Sequence, residues 1–289
     1  MADDLIAVTG STGYVGALVA TTLAEAGTPQ RLIVRDARRA PQLPLASVVE
    51  VGGYGDLAAV RGALEGIGVL FMVSAAESAD RLAQHRTFVD AAADAGVRHV
   101  VYTSFLGAAS DATFTLARDH WATEEHIKAS GVAWTFLRDS FYLDVLPMYA
   151  GADGVIRGPA GDGVVGAVSR ADVARSAVAV LRQPGEHAGT TYELTGREAL
   201  DLSDVARTIT EVTGRPTSYH AETIEEAYAS RASYNAPDWQ VDAWVSTYTA
   251  IANGELAKLT GDVRALTGRD PLTLRELLAG QPGGQSSSG

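Results

Sequence analysis

Three glycines at a regular spacing, set between an apolar run and a helical pattern, constrain the fold of this chain more than any other feature of its sequence. Gly10, Gly13 and Gly16 follow the apolar residues 5–8 and precede residues 17–26, whose pattern is typical of a helix. A strand, a glycine-rich turn and a helix in this order cradle a dinucleotide pyrophosphate, because glycine permits the tight turn and the close approach of backbone to phosphate. The helix N-terminus adds amide donors. The sequence therefore predicts a dinucleotide-binding turn.

Composition restricts the kind of partner. The 289 residues are 46% hydrophobic, enough for a buried core, and carry a formal net charge of −12. Binding to nucleic acid or to an anionic membrane needs clustered positive charge, so neither is expected, and we look for a small-molecule partner. The absence of cysteine excludes disulfides, thiolate catalysis and cysteine-ligated zinc. None of the six histidines pairs with another four residues away, so no metal site is expected.

The N-terminal residues and the apolar segments bear on location. Residues 1–4 are acidic after the methionine, where a secretory signal would be basic. No apolar stretch approaches the ~20 residues that span a bilayer. We therefore expect a cytoplasmic protein.

Apolar runs of strand character alternate with helical patterns through the first half of the chain. The predicted strands are residues 5–8, 31–34, 48–51, 69–73, 97–103 and 133–137. The predicted helices between them are residues 17–26, 57–64, 79–95 and 119–129. This alternation is typical of a parallel sheet with helices on both faces. The predicted fold is α/β, with a doubly wound parallel sheet of the Rossmann type.

After residue 138 the pattern loosens and becomes mostly helical. Helices are predicted at residues 140–149, 170–181, 202–213, 222–230, 238–251 and 272–278, with glycine-rich turns at 151–163 and a strand at 190–194. We expect the elements near 170–182 and 190–194 to return to the sheet, and the others to build a smaller, mostly α lobe over its carboxyl edge. The predicted domains are a NAD(P)-binding core (1–138) and a substrate lobe (139–279). The tail, 280–289, is rich in glycine and serine and is predicted to be disordered.

The second predicted strand indicates which cofactor binds. The residue about 20 positions beyond the glycine turn meets the adenosine ribose, and that residue is Arg35, followed by Asp36. A guanidinium at this place pairs with a 2′-phosphate, whereas a carboxylate accepts from a free 2′-hydroxyl. With Arg38 and Arg39 close behind, Arg35 favours NADPH, although a solvated basic loop is the alternative. Asp36 leaves NADH open.

Two further segments follow predicted strands at the ligand edge. Asp56 either accepts a hydrogen bond from the adenine amino group or caps the helix that begins at residue 57. Ser74, Ala75 and Ala76 are small enough for backbone to approach the ribose and nicotinamide, and equally suit ordinary helix packing.

The usual catalytic pair of this scaffold is missing. Most short-chain dehydrogenases use Tyr-x-x-x-Lys, but only Lys128 and Lys258 are present, and Glu124 and Gly254 stand four residues before them. Reduction of an aliphatic ketone builds an alkoxide that needs a general acid. Reduction of a quinone leaves a phenol-like oxygen with a pKa of about 10, which needs little acid help. The sequence therefore favours a quinone-like acceptor if hydride transfer takes place.

The chain resembles the NmrA-like atypical short-chain dehydrogenases, and among them the type 2 NAD(P)H:quinone oxidoreductases. The resemblance runs from residue 5 to about residue 279. The segments that carry it are residues 8–16, 34–35, 95–97, 102–104, 120–131, 137–142 and 169–172. It implies a Rossmann domain with a small C-terminal lobe and NADPH-dependent reduction of quinones.

The resemblance also implies site residues. The implied cofactor contacts are Gly10, Ser11, Thr12, Gly13, Tyr14 and Val15 at the pyrophosphate, Arg35 at the 2′-phosphate, and Ser74, Ala75, Ala76, Ser140, Phe141 and Tyr142. His120 and Glu124 lie roughly where the usual pair would be. Two departures concern the substrate: Asp139 and Ser140 replace Asn-Gly, and the loop over residues 105–118 is longer by about one residue.

The candidate catalytic and substrate residues each have an ordinary structural alternative. Ser104 either hydrogen-bonds a carbonyl oxygen or satisfies local backbone, and His120 is either a proton donor or a surface residue. The aromatic residues Phe105, Phe141 and Tyr142 either contact the acceptor and nicotinamide or pack in the core, with Tyr142 a further candidate for bonding the acceptor oxygen. Arg170 is a candidate substrate contact.

Three functions remain open at this stage. The first is an NADPH-dependent oxidoreductase that passes hydride directly to a quinone or similar planar carbonyl acceptor. The second is a regulator that binds NAD(P) without turning it over and reports the redox state to a partner protein. The third is a carbonyl or ene reductase, or an auxiliary protein, of a biosynthetic pathway. The oligomeric state is also open, with a homodimer among the alternatives.

Overall fold

A seven-stranded parallel sheet forms the centre of the molecule in a computed structural model that describes residues 5–280. Its strands are β1 (Ile6–Thr9), β2 (Gln30–Val34), β3 (Ala46–Glu50), β4 (Val69–Met72), β5 (His99–Phe105), β6 (Ala133–Asp139) and β8 (Thr190–Leu194). They lie in the order β3-β2-β1-β4-β5-β6-β8. The order reverses between β1 and β4, and the crevice outside the carboxyl ends of these strands is where such sheets bind ligands.

Helices cover both faces of the sheet, as the strand and helix alternation predicted. Helices α1 (Tyr14–Glu25) and α5 (Arg170–Arg182) pack on one face. Helices α2 (Leu57–Leu64), α3 (Arg81–Asp94) and α4 (Thr115–Ala129) pack on the other. The strands β1, β4 and β5 are buried along their whole length, which explains the nearly unbroken apolar sequences of β1 and β4. The predicted doubly wound α/β fold is confirmed.

A second, mostly helical layer covers the carboxyl end of β5. Its helices are α6 (Leu202–Thr213), α7 (Ile224–Arg231), α8 (Asp238–Ala252) and α10 (Leu274–Ala279), whereas α9 (Asp262–Thr267) packs against α5 and β8 on the main sheet. A two-stranded parallel sheet, β7 (Val155–Gly158) with β9 (Ser218–Ala221), completes it. The core of this lobe includes Phe105 and Leu106 at the end of β5. None of the helices within residues 5–280 is long and apolar enough to cross a membrane.

The segment after β6 differs from its prediction. A helix was expected over residues 140–149, but only Leu146–Tyr149 is helical, as a short 3-10 turn. The reason is a long-range pairing: the amide of Leu143 donates to the carbonyl of Val168, and the amide of Val168 donates to the carbonyl of Phe141. These bonds occupy backbone groups that a helix would have used.

Some elements of the structure were not predicted, and one predicted segment lies outside the described residues. The glycine-rich residues 151–163 contain strand β7, and α9 was not expected at all. Helix α1 begins at Tyr14, three residues before its predicted start. From residue 281 onward the tail predicted to be disordered lies outside the described residues. The division into domains at residue 138 stays a prediction.

Candidate cofactor and substrate site

The glycine turn between β1 and α1 has no room for a side chain at Gly10 or Gly16. Gly10 adopts a φ of +65°, and a Cβ added to it would lie 2.9 Å from Cβ of Val73. A Cβ added to Gly16 would lie 2.3 Å from the carbonyl oxygen of Gly10, so the helix packs directly on the turn. The N-cap of α1 is Gly13, which offers no side-chain cap, and the hydroxyl of Ser11 is buried without a hydrogen-bond partner. Free amides and an unpartnered buried hydroxyl at a helix N-terminus fit a pyrophosphate.

Two arginines at and just after the end of β2, Arg35 and Arg39, have side chains without a hydrogen bond or ion pair within residues 5–280. Arg35 is exposed and has no hydrogen bond or ion pair within the described part of the chain. Asp36 is instead engaged by Arg38, whose Nε and Nη2 atoms donate to the carboxylate at 2.9 Å. These bonds lower the pKa of the Asp36 carboxyl group. The Asp36 carboxylate, which could accept from a 2′-hydroxyl, is thus bound to Arg38. The Arg35 guanidinium, which could bind a 2′-phosphate, is free to do so.

Asp56 caps α2, because its carboxylate accepts from the backbone amide of Ala59 at 3.0 Å. This bond is the helix-capping alternative considered for Asp56, and a contact with adenine stays a prediction. The capping bond engages one carboxylate oxygen, Oδ1.

Buried side chains hold the loop of Ser74, Ala75 and Ala76 at the carboxyl end of β4. The amide of Ala75 donates to Nε2 of His85 at 2.8 Å, and Nε of Arg81 donates to the carbonyl of Ala75 at 3.0 Å. The amide of Ser74 donates to the hydroxyl of Thr103 at 2.9 Å. Both backbone groups of Ala75 are therefore satisfied inside the protein, and the loop is fixed before any ligand binds.

His120 lies in the same buried network and not on the surface. Nη2 of Arg81 lies 2.8 Å from Nε2 of His120, and the hydroxyl of Tyr102 lies 3.0 Å from Nδ1. Since arginine only donates, Nε2 accepts and Nδ1 carries the proton. Burial, followed by the charge of Arg81, lowers the pKa of His120 well below its usual value. The ring is neutral near pH 7 with both nitrogens occupied, a geometry that does not favour His120 as the proton donor.

Ser104 is also committed to a partner inside the protein. Its hydroxyl donates to Oε1 of Glu124 at 2.5 Å, and the Arg138 guanidinium donates to both oxygens of that carboxylate at 2.9 and 2.6 Å. Glu124 is fully buried, so the two donors compensate a charge that water cannot reach. Within the protein, the Ser104 hydroxyl bonds a side-chain carboxylate rather than local backbone, and its contact with a substrate carbonyl stays a prediction.

The end of β6 places an unusual group of polar side chains at the carboxyl edge. The hydroxyl of Tyr142 donates to Oδ2 of Asp139 at 3.1 Å, while Oδ1 of Asp139 and the hydroxyl of Ser140 are buried without partners. Burial raises the pKa of the Asp139 carboxyl group well above its usual value. The guanidinium of Arg170 lies 4.1 Å from the ring centroid of Tyr14 and so connects this edge to the glycine turn.

Phe105 and Phe141 pack against protein rather than line an open surface. Their ring centroids are 5.0 Å apart, and Phe141 lies 5.4 Å from Phe114. All three rings belong to the core of the lobe or pack against it. The packing alternative accounts for both residues, and contacts with an acceptor stay a prediction.

A cavity of about 740 Å³ in the helical lobe was not expected from the sequence. Its lining includes four aromatic side chains, those of Tyr149, Tyr234, Trp244 and Tyr248. Its wall helix α8 meets the loop after β4, because Nε2 of Gln240 donates to Glu77 at 3.3 Å. The spacing of Trp244 and Tyr248, four residues apart on one helix, is the sequence signal that could have indicated a shared face.

Comparisons with known proteins agree with this geometry. The family described as NAD(P)H-binding matches residues 10–184, more than half of the chain. The chain is 33% identical over 278 residues to the NAD(P)H azoreductase of Xenophilus azovorans, covering 94% of this chain and 96% of that protein. It is 33% identical over 278 residues to quinone oxidoreductase 2 of Escherichia coli, again covering 94% and 96%. The crystal structure of an Escherichia coli NADPH-dependent quinone oxidoreductase complexed with NADPH matches with a TM-score of 0.87 and 32% identity, covering 95% of this chain and 99% of that chain.

Proposed function

Because this chain belongs to the NAD(P)H-binding family, in its NmrA-like quinone oxidoreductase branch, we propose that it is an NADPH-dependent enzyme that reduces quinones or similar planar carbonyl acceptors. The observation that carries the proposal is the pairing of an uncapped helix start at the glycine turn with the Arg35 guanidinium, which makes no hydrogen bond or ion pair within the described residues. Bound NADPH would supply a hydride to the acceptor.

The residues of the chain act mainly by binding and positioning. The first-turn amides of α1 and the hydroxyl of Ser11 would hold the pyrophosphate, and Arg35 the 2′-phosphate. His85 and Arg81 keep the Ala75 backbone in place, which gives the reacting end of the cofactor a rigid support. The product of quinone reduction is a hydroquinone with a pKa of about 10, so this reaction needs little acid help from protein groups.

We propose that the acceptor occupies the aromatic cavity of the lobe. Its side chains Tyr149, Trp244 and Tyr248 offer flat faces for a planar ring. The hydrogen bond between Gln240 and Glu77 holds this wall against the loop that is predicted to contact the cofactor. A cavity of about 740 Å³ exceeds the needs of a single-ring quinone and suits acceptors with two or more rings.

The enzyme proposal is tested with purified protein, NADPH or NADH, and a set of benzoquinones and naphthoquinones. We expect the absorbance of the reduced cofactor to fall with quinones and to stay constant without an acceptor. Tight NADPH binding measured by calorimetry, with no oxidation by any acceptor, would contradict the enzyme proposal and support the alternative of a regulator that only senses the cofactor.

Replacing Trp244 by alanine tests the acceptor site. Loss of one aromatic face, worth about 1 kcal/mol, is expected to raise KM for a naphthoquinone about fivefold, with a smaller effect for a benzoquinone. Trp239→Ala on the same helix is the matched control, because Trp239 does not line the cavity. Equal effects of the two substitutions on both acceptors would place the acceptor elsewhere.

A further inference from the structure

A buried carboxyl group and a tyrosine hydroxyl meet at the carboxyl edge of the sheet. Asp139 is the last residue of β6 and is 2% exposed, and Tyr142 follows it by three residues with its ring half-buried. The hydroxyl of Tyr142 and Oδ2 of Asp139 are 3.1 Å apart. The other oxygen of the carboxyl group, Oδ1, has no partner although it is buried. An unpaired, water-excluded carboxylate is costly, whereas a neutral carboxylic acid tolerates this place.

The charges around the pair do not favour ionisation of Asp139. Arg170 and Asp144 are the charged groups that act on Tyr142, and they face each other across 3.8 Å. The amide of Arg170 also donates to the Asp144 carboxylate at 2.8 Å. The guanidinium is thereby balanced by Asp144. Burial raises the pKa of both Asp139 and Tyr142 well above their usual values, which favours the protonated form of each group.

We propose that Tyr142, supported by Asp139, is a proton donor that gives this enzyme a further activity, the reduction of activated non-aromatic carbonyl compounds such as 1,2-diketones. The proposal rests on the function proposed above, since the same bound NADPH would supply the hydride. It differs in the acceptor, whose reduction leaves an alkoxide much more basic than a hydroquinone oxygen and therefore requires an acid.

The step balances in protons and electrons. The carbonyl carbon gains the hydride from NADPH, which is oxidised to NADP⁺, and the π electrons of the C=O bond move to oxygen. The O–H bond of Tyr142 breaks and its proton joins that oxygen, giving the alcohol. Because the Tyr142 O–H turns from Oδ2 of Asp139 to the substrate oxygen, the carboxyl proton of Asp139 can turn to the Tyr142 oxygen, and its transfer across the 3.1 Å contact restores the hydroxyl. Solvent returns a proton to Asp139 after the product leaves.

The test compares two acceptors in full-length variants. For Tyr142→Phe and Asp139→Asn, the ratio of diketone to naphthoquinone turnover is expected to fall about 100-fold, within the usual range of general acid catalysis. Asp270→Asn is the control, since it removes an exposed carboxylate that pairs with Arg264 and contacts neither Asp139 nor Tyr142, and it should leave the ratio unchanged. If the wild-type protein reduces naphthoquinone but no diketone, or if the variants lower both rates equally, the proposal is wrong. Failure with every acceptor would instead contradict the enzyme proposal itself.

A second measurement does not depend on turnover. Infrared spectra of the cofactor-free protein at pH 7 should show the carbonyl band of a protonated carboxylic acid, and this band should be missing in Asp139→Asn while persisting in Asp270→Asn. A wild-type spectrum without an Asp139-dependent band would show that the carboxyl group is ionised, which overturns its role as a proton source. The wild-type spectrum is measured without substitution, so poor packing of a variant cannot account for the presence of this band.

Discussion

Replacing Arg138 by methionine is expected to destabilise the protein by about 3–5 kcal/mol, because it leaves the Glu124 carboxylate buried without its cation. The Glu124 side chain is fully buried, and the Arg138 side chain is 21% exposed. Only the hydroxyl of Ser104 would remain to bond the carboxylate. The measurement is the free energy of unfolding in urea, monitored by circular dichroism.

The control uses an ion pair of the same chemistry at the surface. Arg157 and Asp153 form an i, i+4 pair with side chains 42% and 53% exposed, so Arg157→Met should cost less than about 1 kcal/mol. The double variant Glu124→Gln with Arg138→Met should recover part of the stability lost in Arg138→Met, because it no longer buries an unpaired charge. A cost below about 1 kcal/mol for Arg138→Met alone would mean that Glu124 is protonated or that water reaches it.

The elements that were predicted correctly are those that a local sequence pattern specifies. Residues 57–64 and 202–213 were predicted as helices and 190–194 as a strand, and the structure has the same bounds. Each segment combines a clear apolar pattern with a side-chain cap or with strand-forming residues. The glycine turn was also predicted from the sequence, because at Gly10 and Gly16 a side chain would collide with neighbouring atoms.

The unpredicted part depends on contacts between distant segments. The bond from Ser104 to Glu124 arises because Ser104 is in register with Arg138 across β5 and β6, and the sequence does not state that register. The helix expected after β6 was wrong for the same reason, since Val168 takes its backbone hydrogen bonds. His120 was considered a catalytic or surface residue, and only the placement of Arg81 and Tyr102 beside it reveals a buried, neutral ring.

The candidate site shows the same division. Its phosphate-binding half follows from a contiguous motif and one arginine at a known distance along the chain. The acceptor half that we propose involves β6, the segment after it and helix α8, which are far apart in sequence. The lobe cavity therefore could not be found by inspecting motifs, although its aromatic residues were visible.

Replacing Arg35 by alanine is expected to weaken NADPH binding about 10- to 100-fold while changing NADH binding little. The expected loss corresponds to a charge-assisted contact with phosphate worth about 1.5–3 kcal/mol. Arg35 suits this role because it is exposed and has no protein partner within residues 5–280, so its removal breaks no internal contact. Calorimetry with each cofactor gives the two dissociation constants directly, and the KM for each in quinone reduction gives an independent ratio.

Arg38→Ala is the matched control, because Arg38 lies three residues away and is bound to Asp36. Its loss should free the Asp36 carboxylate, so we expect NADH binding to improve or stay constant and the preference for NADPH to decrease only modestly. In a combined Arg35→Ala and Arg38→Ala variant, the free carboxylate near the ribose should repel the 2′-phosphate and favour the 2′-hydroxyl, which shifts the preference further toward NADH. Equal weakening of both cofactors by Arg35→Ala would show that this arginine contacts a part common to NADPH and NADH, and the phosphate would then require another partner.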